Sequence, residues 1–296
     1  MTERRTSLLA ALALLAMAAS WGSTFFLIHD LLRRVPAIDF LALRFSMGAL
    51  FLLILAPRAI GRLSTSARKR AVVLGLLYGF GQILQTIGLA STPASVSGFI
   101  TWMYVVLTPV FAALILRSRI SGLTWVAVFL AISGIAVMTL TGFSIGYGQT
   151  LTLVASALYA LHIVGLGAWS VPSEAIGVTT LQIITIAVVC TAVAAPGGIV
   201  IPHTSADWAS VIYMGLIPGA LAVMGQTWAQ AHLSPTRAAI IMSMEPVFAA
   251  FFATLFGGES MTLRVLLGGA MVLSAMLIVE LMPRRRIEAE VTHIAV

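Results

Sequence analysis

Ionisable side chains stand at a few isolated positions inside long apolar runs of this 296-residue sequence: Glu245, His162, Arg44 and, nearer the end of its run, Glu280. Because a charge is costly at bilayer depth, each is by default a hypothesis for function. Glu245 could carry a proton, pair with a substrate amine or remain a neutral structural acid. His162 could titrate, donate to a ligand or serve packing, and Arg44 could pair with a substrate carboxylate or extend to the membrane surface.

Amide and aromatic side chains recur at helical spacing in the same runs. Tyr78, Gln82 and Gln85 follow an i, i+4, i+7 pattern and share one helix face. A polar face should point into the protein, where the amides can bind a ligand or a neighbouring helix. Gln226 and Gln230 form a similar pair.

The sequence around Trp102 adds aromatic surface. Phe99, Trp102 and Met103 are spaced to share a face, with Tyr104 nearby. Trp102 lies about 12 Å into its run at 1.5 Å per residue, which is deep for an interfacial aromatic belt. These residues suit a mostly apolar cavity with a few polar groups.

No enzymatic motif competes with this interpretation. The sequence lacks HExxH, GxSxG, a P-loop and a paired carboxylate set on one helix. Cys190 is the only cysteine, which excludes a disulfide within the chain and a thiolate metal cluster. We therefore expect no catalysis, no cofactor and no metal site, and any transport would draw its energy from a gradient.

The composition predicts an all-α polytopic membrane protein. Hydrophobic residues make up 60% of the chain and charged residues 9%, with a mean hydropathy of +1.05, against about 25% charged residues in soluble domains. A spanning helix needs about 20 apolar residues. Ten such runs lie near 8–29, 36–56, 71–91, 94–116, 122–141, 148–169, 177–196, 207–231, 236–256 and 262–282.

Basic residues indicate the orientation of these spans. With the N-terminus inside, the outer segments hold only Arg33, Arg34 and Arg264. The inner segments hold Arg4, Arg5, Arg58, Arg62, Arg68, Lys69, Arg70, Arg117, Arg119, Arg237, Arg284, Arg285 and Arg286. The positive-inside rule then predicts cytoplasmic termini, so the net charge of +7 reflects topology and not a nucleic-acid partner.

Two parts of the chain read as copies of each other. The matched stretches are 75–79 with 215–219, 85–86 with 226–227, and 109–113 with 246–250. We expect a first five-helix repeat over 1–143, a second over 144–283, and a cytoplasmic tail over 284–296. Since five is an odd number of spans, the halves should be inverted, with the working site between them.

Motifs along the whole chain resemble EamA-type members of the drug/metabolite transporter superfamily. They are 19–25 (ASWGSTF), 43–45 (LRF), 98–106 (GFITWMYVV), 160–164 (ALHIV), and 234–259 with its Glu245-Pro246 and Gly258-Glu259 pairs. The resemblance implies ten helices around a central cavity in the inner membrane, and it is greatest to the YddG amino-acid exporters. It places Tyr78, Trp102, His162 and the stretch from Ser243 to Glu245 in the cavity lining.

The first copy departs from the family pattern after the fourth run. An acidic residue is common at that point and again after the ninth run, whereas residues 117–119 here read Arg-Ser-Arg. A role for such an acid in loop geometry would survive only at Glu259.

The resulting hypothesis is an exporter of aromatic and other amino acids that works by alternating access, with a cavity formed by Tyr78, Gln82, Trp102, His162, Ser243 and Glu245. The alternatives are a multidrug or other small-metabolite exporter and, more remotely, a membrane receptor or intramembrane enzyme. The expected partners are a small-molecule substrate and the lipid bilayer. Coupling to protons and oligomeric state stay open, with a monomer as the simplest case.

Overall fold

A computed structural model describes residues 3–115, 121–139, 145–169, 174–222, 229 and 241–281, and the regular structure in these ranges is helical throughout. The α-helices are α1 Glu3–Leu31, α2 Ala37–Leu55, α3 Thr65–Leu89, α4 Ala94–Thr101, α5 Met103–Ile115, α6 Gly122–Thr139, α7 Tyr147–Trp169, α8 Ala175–Ala194, α9 Ser205–Leu216, α10 Glu245–Leu255 and α11 Leu263–Leu281.

Seven segments in the described ranges are long and apolar enough to cross a membrane. They correspond to α1, α2, α3, α4 with α5, α6, α7 and α8, while α10 and α11 are shorter apolar helices. Large apolar side chains such as Ile54 and Phe129 are exposed, as expected where a helix faces lipid. The chain is thus a multi-pass membrane protein, and the total of ten spans stays a prediction. Gln226, Gln230, Arg117, Arg119, Arg237, the side chain of Glu280 and the tail 284–296 lie outside the described residues.

The run 94–116 is not the continuous helix that its composition predicts. Trp102 ends α4 with φ −69° and ψ −3°, and the amide of Val105 donates to its carbonyl, so the chain tightens for one turn before α5 continues. Neither glycine nor proline stands at this break, and Pro109 lies inside α5 without interrupting it. A second interruption precedes α10, where Ser243 and Met244 form a turn.

Glycine allows α3 to lie against two helices at once. A Cβ on Gly75 would lie 3.0 Å from Cα of Gln182 in α8, and one on Gly81 would lie 2.5 Å from Cε1 of Tyr159 in α7. Gly75 therefore lets α8 approach α3 closely. Elsewhere α2 packs on α8, α6 on α11 and α1 on α10.

Polar contacts join the loops at one end of the bundle. Arg34, after α1, donates to Asp207 in the first turn of α9 at 2.7 Å and to Asp30 at 2.6 Å. These two hydrogen bonds raise the pKa of Arg34 above its ordinary value, so the guanidinium stays charged. Asp39 accepts from the amide of Val200 at 3.0 Å. Segments distant in sequence are thereby held together at this end.

Glu259 caps α4 from the loop between α10 and α11. Its carboxylate accepts the backbone amides of Ala94 and Ser95, at 2.5 and 3.2 Å, and the hydroxyl of Ser95. These amides are among the helix donors that have no partner within the helix, and the negative charge also suits the helix dipole. The geometric role that the sequence leaves to Glu259 thus corresponds to a capping contact across the fold.

Substituting Glu259→Ala should lower the free energy of unfolding by about 1–2 kcal/mol, because a half-buried cap that accepts three hydrogen bonds is lost. Thermal unfolding of the purified protein in detergent measures this. Glu174→Ala is the matched control, since Glu174 precedes α8 without making a capping hydrogen bond. Equal melting temperatures for the two variants would contradict the capping role.

Substituting Gly81→Ala should destabilise the protein by about 1–3 kcal/mol, because the new methyl group overlaps the ring of Tyr159. Gly167→Ala in α7 is the control, as a Cβ there meets no atom within 4 Å and alanine favours a helix. The prediction fails if Gly81→Ala unfolds at the same temperature as Gly167→Ala.

Candidate functional site

Tyr78, near the middle of α3, is the centre of an aromatic cluster. Its ring stacks on His162 of α7 with 5.2 Å between centroids and an angle of 28°. Tyr159, one turn earlier in α7, lies 5.6 Å from Tyr78, and the ring of Phe45 in α2 meets Tyr78 edge-on at 6.4 Å. Three helices therefore contribute rings to one site, in geometries that aromatic pairs favour.

The two amides predicted on the Tyr78 face have different roles. Gln82 donates to the hydroxyl of Tyr78 at 3.2 Å, within α3. Gln85 donates to Oγ1 of Thr101 at 3.0 Å and accepts from the hydroxyl of Tyr159 at 2.5 Å. Gln85 thus connects α3, α4 and α7, which is the interhelical use that an amide inside a membrane protein allows.

His162 is oriented from α8. Its Nε2 lies 2.7 Å from Oε1 of Gln182, which is 6% exposed. In this amide orientation Oε1 can only accept, so Nε2 carries the proton. The bond fixes the imidazole plane, and that plane sets the stacking on Tyr78.

Trp102 continues the aromatic surface from the break between α4 and α5. Its ring lies 5.1 Å from that of Tyr104, which in turn meets Tyr159 edge-on at 6.5 Å. The rings therefore form an unbroken path from Phe45 through Tyr78 to Trp102. Trp102 is 3% exposed, so its indole is buried within the protein.

Glu245 borders the far side of this path as the first residue of α10. It is half-buried and lies beside the indole of Trp102, whose Nε1 completes no hydrogen bond within the described ranges. The N-terminal turn of a helix favours a carboxylate through the helix dipole. Ser243 is buried in the turn just before it.

Arg44 lies at the opposite border, in α2. Its guanidinium carbon is 5.4 Å from the ring centroid of Phe45 and 6.0 Å from that of Phe40. Among the described residues no carboxylate forms a salt bridge with it. Cation–π contacts are worth about 0.5–2 kcal/mol, whereas a charge at the centre of a spanning helix costs about 2.5 kcal/mol or more. The two rings therefore stabilise this charge in part, and the described residues provide no counter-ion for it.

The structure brings some of the predicted site residues into direct contact and connects others only through intervening rings. Tyr78 contacts both Gln82 and His162 directly, and Trp102 is connected to Tyr78 through the rings of Tyr104 and Tyr159. Glu245 and Tyr78 interact electrostatically. The sequence did not single out Tyr159 or Gln182. Tyr159 lies three residues before His162, so helical spacing from the histidine would have found it.

A cleft of about 430 Å³ opens elsewhere, between α1, α9 and α10. It is lined by Ser23, Phe26, Leu27, Ala209, Ser210, Tyr213, Phe252 and Phe256. The hydroxyls of Ser23 and Tyr213 are hydrogen-bonded at 2.9 Å. The cleft is thus separate from the aromatic cluster around Tyr78. Within the described ranges, no group of three or more His, Cys, Asp or Glu side chains is placed to hold a metal ion.

Comparison with known proteins identifies the family. The model of the EamA-like transporter family matches residues 8–140 and again 146–281. An uncharacterized transporter of Archaeoglobus fulgidus is 28% identical over 280 residues, which cover 93% of this chain and 86% of the relative. A solved structure described as "Crystal structure of protein" shares the fold, with 16% identity and a TM-score of 0.63, over 93% of this chain and 98% of its own. This chain therefore belongs to the EamA-like transporter family and is a membrane transporter of the drug/metabolite superfamily.

Proposed function

We propose that this transporter exports amino acids, aromatic ones among them, across the inner membrane through the cluster centred on Tyr78. The path of rings from Phe45 to Trp102 carries the proposal. Flat aromatic faces bind apolar and aromatic side chains. Polar and charged groups at the borders, such as Gln82 and Glu245, can bind the ends of a small amphiphilic molecule.

Alternating access is the mechanism that this arrangement favours. The family model matches two segments of similar length, 8–140 and 146–281, which supports two halves with the predicted boundaries 1–143 and 144–283. If each half holds five spans, the halves are inverted and can exchange conformations. The basic residues support cytoplasmic termini for the same arrangement.

The two helix interruptions supply points where such a change can occur. The break at Trp102 lies within the aromatic cluster, and the turn at Ser243 comes two residues before Glu245, which lies beside Trp102. Helices broken at the level of the substrate are a common feature of secondary transporters, because freed backbone groups can face a cavity there. A rotation of α4 against α5 would move the indole of Trp102 relative to Tyr104.

Substituting Trp102→Ala and His162→Ala should each lower amino-acid efflux about tenfold or more, since one removes a wall of the site and the other removes the ring stacked on Tyr78. Efflux of labelled phenylalanine from preloaded cells measures this, normalised to the amount of folded protein in the membrane. Trp125→Ala is the matched control, because Trp125 is 54% exposed on α6. Wild-type efflux by both site variants would overturn the assignment of the site.

Export of apolar cations is a second candidate function, and the position of Glu245 favours it. The carboxyl group lies beside Trp102 and interacts with Tyr78 and Tyr159, so an organic cation could pair with the charge and stack on the rings. A substitution at Glu245 therefore distinguishes export of amino acids from export of apolar cations.

For an amino-acid exporter we expect Glu245→Gln to keep transport in liposomes and to lose its dependence on pH. For a cation exporter the same variant should lose transport of cationic dyes altogether, because the counter-charge is gone. Glu174→Gln, on the loop before α8, should leave both properties unchanged. Dye transport in the wild type that disappears in Glu245→Gln, without amino-acid transport in either, would establish the second function.

A further inference from the structure

We propose that Arg44 recognises the anionic group of the substrate, so that this transporter selects molecules with a free carboxylate. The proposal rests on the proposed function and names the residue and chemical group that would decide its specificity. It starts from the position of Arg44 inside α2, at the border of the aromatic cluster.

Arg44 does not place its charge at the membrane surface by extending its side chain. The residue is 9% exposed, whereas a guanidinium that reaches the interface is solvated there. Its head group lies over the ring of Phe45, the same ring that meets Tyr78 edge-on. The guanidinium therefore lies inside the protein, next to the rings of the aromatic cluster.

Neighbouring carboxylates do not neutralise the charge of Arg44 either. Helix α2 packs on α3, α8 and α9. Asp39, on α2 itself, accepts from the amide of Val200, and Asp207, on α9, is held by Arg34. Within the described residues both of these acids are thus engaged away from Arg44, and the guanidinium interacts instead with the rings of Phe40 and Phe45 and the phenols of Tyr78 and Tyr159.

These two phenols relate Arg44 to the opposite side of the cluster. Each interacts electrostatically with both Arg44 and Glu245, while Arg44 and Glu245 form no salt bridge with each other. The rings therefore lie between a cation that has no counter-ion among the described residues and a carboxyl group. A substrate carboxylate that reaches Arg44 would neutralise the buried charge and form a bidentate pair with the planar guanidinium, while the substrate side chain remains over the rings.

The test compares phenylalanine with phenylalaninamide, which has the same ring and amino group and lacks the carboxylate. Uptake of each into proteoliposomes is measured for the wild type, Arg44→Gln, Arg44→Lys and Arg70→Gln. Arg70 is the matched control because it lies at the membrane edge of α3, over Trp169. Melting temperatures in detergent establish that each variant is folded.

We expect the wild type to have a KM for phenylalanine at least tenfold lower than for the amide. Arg44→Gln should raise the KM for phenylalanine about 10–100-fold and leave that for the amide nearly unchanged, with Arg44→Lys in between and Arg70→Gln like the wild type. If Arg44→Gln does not fold, the acid-to-amide preference of Arg44→Lys, which should fall below that of the wild type, decides the question.

The outcomes separate this inference from the proposed function. Equal KM values for phenylalanine in the wild type and Arg44→Gln, with the acid-to-amide preference intact, would overturn the role of Arg44 and leave amino-acid export standing. Stronger competition by phenyl phosphate than by phenylalanine would overturn recognition of a carboxylate and indicate that Arg44 binds a phosphate. Transport of neither phenylalanine nor its amide by the folded wild type would overturn the proposed function itself.

Discussion

The packing of α3 between α7 and α8 is the constraint on which the site depends. Glycine makes this possible, because Gly75 lets α8 approach and Gly81 leaves room for the ring of Tyr159. In a membrane no hydrophobic effect drives helices together, so close contact and interhelical hydrogen bonds must hold them. The same packing sets Tyr78 against both Tyr159 and His162 and brings His162 to Gln182. The packing that holds α3 in place therefore also sets the geometry of the candidate site.

The sequence predicts part of this site well and part of it poorly. Helical spacing and the cost of polar groups in lipid suffice to place Tyr78 and Gln82 on one inward face. The bond between His162 and Gln182 depends on the register between α7 and α8, which no local pattern contains. Neither glycine nor proline stands at the break at Trp102, so no local pattern predicts it. Tyr159 stands in an apolar run where an aromatic residue looks like ordinary core.

The matched stretches 75–79 and 215–219 differ in backbone and in chemistry, since the first lies within α3 and the second passes from α9 into a π-helical turn. Tyr78, which centres the cluster, corresponds in the repeat alignment to Pro218. Pro218 lies in the π-helical turn Ile217–Leu221, and its carbonyl accepts from the indole of Trp21 at 2.8 Å. One copy thus contributes a ring to the cluster, and the other contributes a backbone acceptor to the packing of α1. Membership of a transporter family fixes the class of activity, and in the proposed function substrate choice depends on differences of this kind.

Counterflow in proteoliposomes tests the central claim, that amino acids cross the membrane through this protein, most directly. Vesicles that contain the purified wild type are loaded with unlabelled phenylalanine and diluted into labelled amino acids or cationic dyes, with and without a pH gradient. The account predicts transient accumulation of labelled aromatic amino acids above the level of protein-free vesicles. Accumulation of the dyes alone, or of no compound in vesicles that remain sealed, would contradict it.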